Sequence, residues 1–256
     1  MPRAPLLILA PLLFVNTACL DVQDKEERER WGERDWRQAV QENEERLKSE
    51  DERGGGGFAS LGAGVGQLTD LITGNKPSNQ ARALLDPASA DRRRDAIVYL
   101  ADRGYGRGDP YTDYYQELAR SDGDYLVRSM AIRALNRARD QLATPVFIQA
   151  LDDESPLVRL EAAKALANVP DEKAVAPLIK RLDNADESAD VRIAAADALR
   201  NYRTPLVAQA LVRVLRDRDF GVSWQARKGL KLMTGRDLRY DQGAWLTYLS
   251  EGSPLG

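Results

Sequence analysis

The feature that most constrains this chain is an internal repeat with a period near 32 residues. Four segments align without gaps: Val127–Leu135, Val158–Leu166, Val191–Leu199 and Val222–Leu230. In each, the valine (position 0) is followed by alanine at +4, by alanine or glycine at +7 and by leucine at +8. On an α-helix, positions 0, +4, +7 and +8 share one face. Small residues at +4 and +7 let a neighbouring helix approach closely, and the valine and leucine fill the spaces between. A second series, Leu151, Leu182 and Leu215, recurs in step with the valines and predicts a partner helix before each motif helix. Thr144-Pro145 and Thr204-Pro205 read as N-cap plus first-turn proline for the partner helices, and Ser155-Pro156 as the same for a motif helix. Aspartate-rich turns join the two helices of a pair. Fixed-period helix pairs of this kind stack into a solenoid, in which each repeat contacts only its neighbours.

These segments resemble the HEAT-repeat family, in a variant also found in phycobilisome lyases. The likeness covers about residues 90–232. The Val-Arg-x-x-Ala and closing Ala-Leu pattern is met by the segments ending at Leu166 and Leu199. Arg128, Arg159 and Arg192 hold the family's arginine position, and Ser223 departs from it. A degenerate first unit places Ala96 and Leu100 at +4 and +8. The resemblance implies an all-α solenoid of four to five helix pairs. Leu238, Tyr240, Trp245 and Tyr248 are expected to cap its C-terminal end. An arginine in a helix's first turn faces the positive end of the helix dipole and calls for a carboxylate. The three arginines are therefore expected to form a structural ladder with turn aspartates Asp122, Asp124, Asp153, Asp190 and Asp219.

The N-terminus carries a different signal. Arg3 precedes an apolar run from Ala4 to Val15. At about 1.5 Å per residue this run is too short for a bilayer core of roughly 30 Å, so it reads as a signal peptide over residues 1–18. Thr17-Ala18-Cys19 resembles a bacterial lipobox, although Asn16 stands where leucine is usual. Cys19 is the only cysteine, so no disulfide can form within the chain, and lipidation of its thiol is the expected role. The alternative is simple secretion. Residues 19–57 form a charged arm: Leu20 to Gly56 holds 13 acidic and 8 basic residues, a net of −5. Trp36, Val40 and Leu47 make one weak helical stripe in it. Residues 58–78 are a glycine-rich linker. Its Gly62, Gly64 and Gly66 lack the spacing, preceding strand and lysine of a phosphate-binding loop. The solenoid is expected over 79–256.

The chain contains no histidine. That removes the commonest general base, the commonest zinc ligand and every Ser-His or Cys-His nucleophile pair. Neither a cofactor nor a metal is expected. From Asp124 to Leu232 there are 15 acidic and 18 basic residues, a net of +3, which does not suggest a nucleic-acid partner. The expectation is a non-enzymatic scaffold or adaptor, lipid-anchored in the bacterial cell envelope, with a self-associating structural lipoprotein as the alternative.

In the HEAT family the Val-Arg helices line the concave side. Positions +2, +6 and +9 should then face a groove. They are Ser129, Arg133 and Asn136; Leu160, Lys164 and Ala167; Ile193, Asp197 and Arg200; Trp224, Lys228 and Lys231. The binding candidates are Arg133, Lys164, Arg200, Trp224, Lys228 and Lys231, and an acidic protein or peptide is the expected partner. The same cations could instead only solvate an exposed face, with Trp224 in the core.

Overall fold

The computed structural model describes residues 77–251. Cys19, the arm and the glycine-rich linker up to residue 76 lie outside the described residues, and the expected linker's last two residues are the start of the first helix. All regular structure among the described residues is helical. A short helix α1 (Pro77–Ala83) leads into α2 (Ala90–Asp102). Four full pairs follow: α3 (Tyr111–Ser121) with α4 (Tyr125–Ala138), α5 (Thr144–Ala150) with α6 (Pro156–Asn168), α7 (Val175–Asp183) with α8 (Ala189–Leu199), and α9 (Pro205–Arg213) with α10 (Phe220–Thr234). The last helix, α11 (Gln242–Ser250), packs on α9. The motif helices form one row: α2 touches α4, α4 touches α6, α6 touches α8 and α8 touches α10. Their mutual contacts are far denser than those between successive partner helices, so the motif row is the tightly packed, inner one.

The four-position face accounts for this row. Val127, Val158, Val191 and Val222 are fully buried, as are all four +4 alanines and all four +8 leucines. Gly229 stands where the other repeats have alanine, and a Cβ there would lie 3.0 Å from Leu211 Cδ1. Leu151, Leu182 and Leu215, from the partner helices, are buried with them. Three of the four motif valines also sit three residues after the side chain that caps their helix. The Val127 N–H donates to Asp124 Oδ1 at 3.0 Å, Val191 to Ser188 Oγ at 3.3 Å and Val222 to Asp219 Oδ1 at 3.2 Å. The cap thus sets the register of the helix face that follows.

Two caps differ from expectation. Thr204 does cap α9, accepting from the Val207 N–H at 3.3 Å. Thr144 instead lies inside α5, and its hydroxyl donates to Asp171 Oδ2 at 2.9 Å in the next repeat. Ser155 precedes α6 without a side-chain cap bond. There Pro156, which has no N–H to satisfy, eases the start of the helix. Gly235 ends α10 at φ 70°, and its N–H donates to Lys231 O at 2.9 Å. Beyond it Trp245 is fully buried, with Nε1 donating to Arg239 O at 3.1 Å and Tyr248 edge-on at 6.1 Å. This closes the C-terminal end of the array.

Candidate interaction surface

The motif helices carry three tiers of bonds between repeats. The first is the arginine tier. Arg128 donates to Asp153 through Nε at 2.8 Å and Nη2 at 2.9 Å. Arg159 donates to Glu187 at 2.8 and 2.7 Å, and Arg192 Nη1 to Asp217 at 3.0 Å. In each case the acceptor lies in the turn of the following repeat. Arg93, at the same position of the degenerate first unit, makes the same fork to Asp122, at 2.7 and 2.9 Å. The acceptors therefore differ in part from the expected set. Asp122 and Asp153 take ladder arginines, whereas Asp124 caps α4 and pairs with Arg94 at 3.0 Å, Asp219 caps α10, and Asp190 is exposed in the first turn of α8. Glu187 and Asp217 take the remaining two arginines. Burial pushes the Glu187 carboxyl up, but bonds from Arg159, the Ser188 N–H and Arg181 outweigh this and hold it below its usual range. Bonds from Arg192 likewise lower Asp217.

The second tier lies at mid-helix and joins +6 of one repeat to +3 of the next. Arg133 Nη2 donates to Glu161 Oε1 at 3.0 Å, and Lys164 Nζ reaches the same oxygen at 3.1 Å. The Glu161 side chain is only 5% exposed. Its burial raises the pKa, and the two cations more than reverse the shift. One repeat pair further on, Gln225 donates to Asp197, which also pairs with Arg200 at 3.0 Å. The third tier runs near the helix C-termini. Asn168 Nδ2 donates to Asn136 Oδ1 at 3.0 Å, and Asn201 Nδ2 to Ala167 O at 2.8 Å.

These tiers decide what the expected groove residues face. Ser129 is a correction: it is buried, and its hydroxyl donates to Leu126 O at 2.9 Å within its own helix. Leu160 and Ile193 are half-buried against the core. Arg133, Lys164 and Arg200 are accessible, yet each is matched by Glu161 or Asp197. Trp224 is not in the core but 45% exposed. Lys228 Nζ sits 5.2 Å from the centre of its ring. Lys231 approaches Asp237 at 3.5 Å, but Arg227 already holds Asp237 through two bonds of 2.9 and 2.8 Å.

Phe220, which the spacing rule passed over, is 69% exposed one turn before Trp224, with its ring 6.4 Å from Tyr240. The signal was in the sequence: Phe220 lies at −2, on the same helical side as +2. Two shallow depressions lie away from the exposed aromatics, one against partner helices α3 and α5 and one at the start of α8. The one of about 220 Å³ is lined by Arg120, Gln149 and Asp152 among others, and the one of about 400 Å³ by Glu187, Arg192 and Arg218. No cluster of three metal-ligating side chains occurs among the described residues. No helix among them is long and apolar enough to cross a membrane.

The family model for HEAT repeats matches residues 112–188 and 144–231, the four full pairs. No curated protein matches the chain. Among solved structures, the X-ray structure of the YibA protein of E. coli superposes with a TM-score of 0.53 at 21% identity, covering 68% of this chain and 63% of that one. A crystal structure of an engineered protein gives a TM-score of 0.48 at 22% identity, covering 60% of this chain and 78% of that one. Repeat period, packing and family match agree that residues 112–231 form an α-solenoid of helix pairs similar to HEAT repeats.

Proposed function

We propose that this protein is a non-enzymatic scaffold whose inner helix row binds another protein, and that lipid on Cys19 holds it at a membrane of the bacterial cell envelope. HEAT repeats usually mediate protein–protein contact, and the array offers an extended surface rather than an enclosed pocket. The observation that carries the binding half is the exposure of Phe220 and Trp224 on a row whose underlying valines, alanines and leucines are all buried. A large aromatic left in water on a rigid, well-packed helix is a common interface anchor. The anchoring half is supported by Thr17-Ala18-Cys19 after a short apolar run. One acyl chain binds a bilayer only marginally, so two or more are needed for a stable tether.

Both halves are tested by detergent-phase partitioning and by capture from envelope extracts. Wild type is expected in the detergent phase and Cys19→Ser in the aqueous phase. A captured protein should be lost on Trp224→Ala while the thermal midpoint is unchanged. Equal partitioning of wild type and Cys19→Ser refutes the tether, and capture indifferent to Trp224 refutes the surface.

A further inference from the structure

The expected groove runs along four repeats, but its charges are not equally available. Arg133 and Lys164 converge on the buried Glu161 carboxylate. Arg200 is paired with Asp197, which Gln225 also holds. Asn136 and the Ala167 carbonyl are taken up between repeats. The polar groups of the first three repeats are thus spent on holding the array together.

The outer face of α10 differs. Phe220, Trp224, Arg227, Lys228 and Lys231 fall within one side of that helix. Lys228 has no carboxylate partner among the described residues and lies against the Trp224 ring. Lys231 stands 3.5 Å from Asp237, which Arg227 already holds through two shorter bonds, so two cations there share one carboxylate. The sequence around this helix points the same way. From Asp197 to Tyr240 there are ten basic residues (Arg200, Arg203, Arg213, Arg216, Arg218, Arg227, Lys228, Lys231, Arg236, Arg239) and four acidic ones (Asp197, Asp217, Asp219, Asp237), a net of +6. The whole chain has a net charge of −3. The face is bounded on both sides. Gly221 packs so closely on α8 that a Cβ would stand 2.5 Å from Ile193 Cδ1, and Arg227 lies 5.1 Å from the Tyr240 ring on the other side.

We infer that binding is confined to the α10 face and that its occupant is an acidic peptide segment of a partner protein carrying an aromatic or aliphatic anchor residue. The apolar side chain of the partner covers Phe220 and Trp224. Its carboxylates meet Lys228 and Lys231, displacing Lys228 from the indole or bridging beside it. Complementary charge favours this class of occupant, and the exposed aromatic pair gives it a desolvated anchor. The inference rests on the scaffold reading above and narrows it to one repeat.

The test uses the full chain in nonionic micelles and two labelled synthetic peptides that share the same phenylalanine spacing, one with glutamates and one with lysines between them. Fluorescence anisotropy is expected to show salt-sensitive binding of the glutamate peptide only. Trp224→Ala, and separately Lys228→Glu with Lys231→Glu, should weaken it about tenfold or more, with Lys164→Gln unchanged. All these side chains are exposed or half-buried, and an unchanged thermal midpoint shows the fold is kept. If Lys164→Gln weakens binding equally, the confinement to α10 is overturned while the groove reading stands. If no variant changes it, both fall. Equal binding of the lysine peptide overturns the acidic class. So does failure of both peptides combined with charge-dependent sedimentation of the Cys19→Ser chain on phosphatidylglycerol vesicles, which would make the face a lipid surface.

Discussion

Arg128 leaves its own repeat and grips Asp153 of the next with two parallel hydrogen bonds, 25 residues down the chain. A planar guanidinium matches a carboxylate in this fork, and both side chains are mostly shielded from water. Removing one partner strands the other. Arg128→Ala is expected to cost roughly 2–3 kcal/mol, somewhat less than breaking a fully buried pair. Urea unfolding of the variant should show a lower midpoint. A midpoint equal to wild type would mean the ladder contributes nothing net.

The alanines at +4 are fully buried in the inner row. Ala162→Asp or Ala195→Asp would bury an unpaired carboxylate between helices, and a loss of more than about 4 kcal/mol is expected. Ala176→Asp, in the exposed first turn of α7, should stay within about 0.5 kcal/mol. Thermal melts followed by circular dichroism decide. Tolerance of both buried substitutions would refute the assigned register.

Glu187, Glu161 and Asp217 are all held below their usual pKa values in the folded chain. For a depressed carboxyl, the stabilisation is complete above its unfolded pKa and is lost as the pH falls through the folded one. Stability should therefore be flat near neutrality and decline below about pH 4.5. Glu187→Gln should be less stable than wild type at neutral pH, and the difference should shrink in acid. A gap independent of pH would show that the carboxylate charge is not what matters there.

Gly106 lies in a 3₁₀ turn (Gly104–Arg107) after α2, and a Cβ on it would come 2.0 Å from the Leu100 carbonyl oxygen. Backbone cannot yield as a flexible side-chain tip can. Gly106→Ala should therefore destabilise the first unit, although alanine is ordinarily the better helix former. Hydrogen exchange should show lost protection in α2 and little change in α8. Unchanged protection throughout would refute the close approach.

The sequence by itself determined the array. A 32-residue period, valine and leucine on one helical face and small residues between them leave one way to exclude water, which is to stack helix pairs in register. Those positions are fully buried because burial follows local periodicity, and periodicity is written in the chain. The ladder arginines were legible for the same reason, as fixed positions in a repeat. Their acceptors were legible only in part: Asp153 stands in an expected turn, whereas Glu187 and Asp217 were passed over and are selected by how one repeat rotates on the next. The groove shows the same division. Spacing marked Arg133, Lys164, Arg200, Trp224, Lys228 and Lys231 alike as outward, but only the tertiary structure shows Arg133 joining Lys164 on Glu161 of the next repeat while Lys228 lies against an exposed indole. Charge pairing between helices is a matter of distance in space, which a period along the chain does not contain.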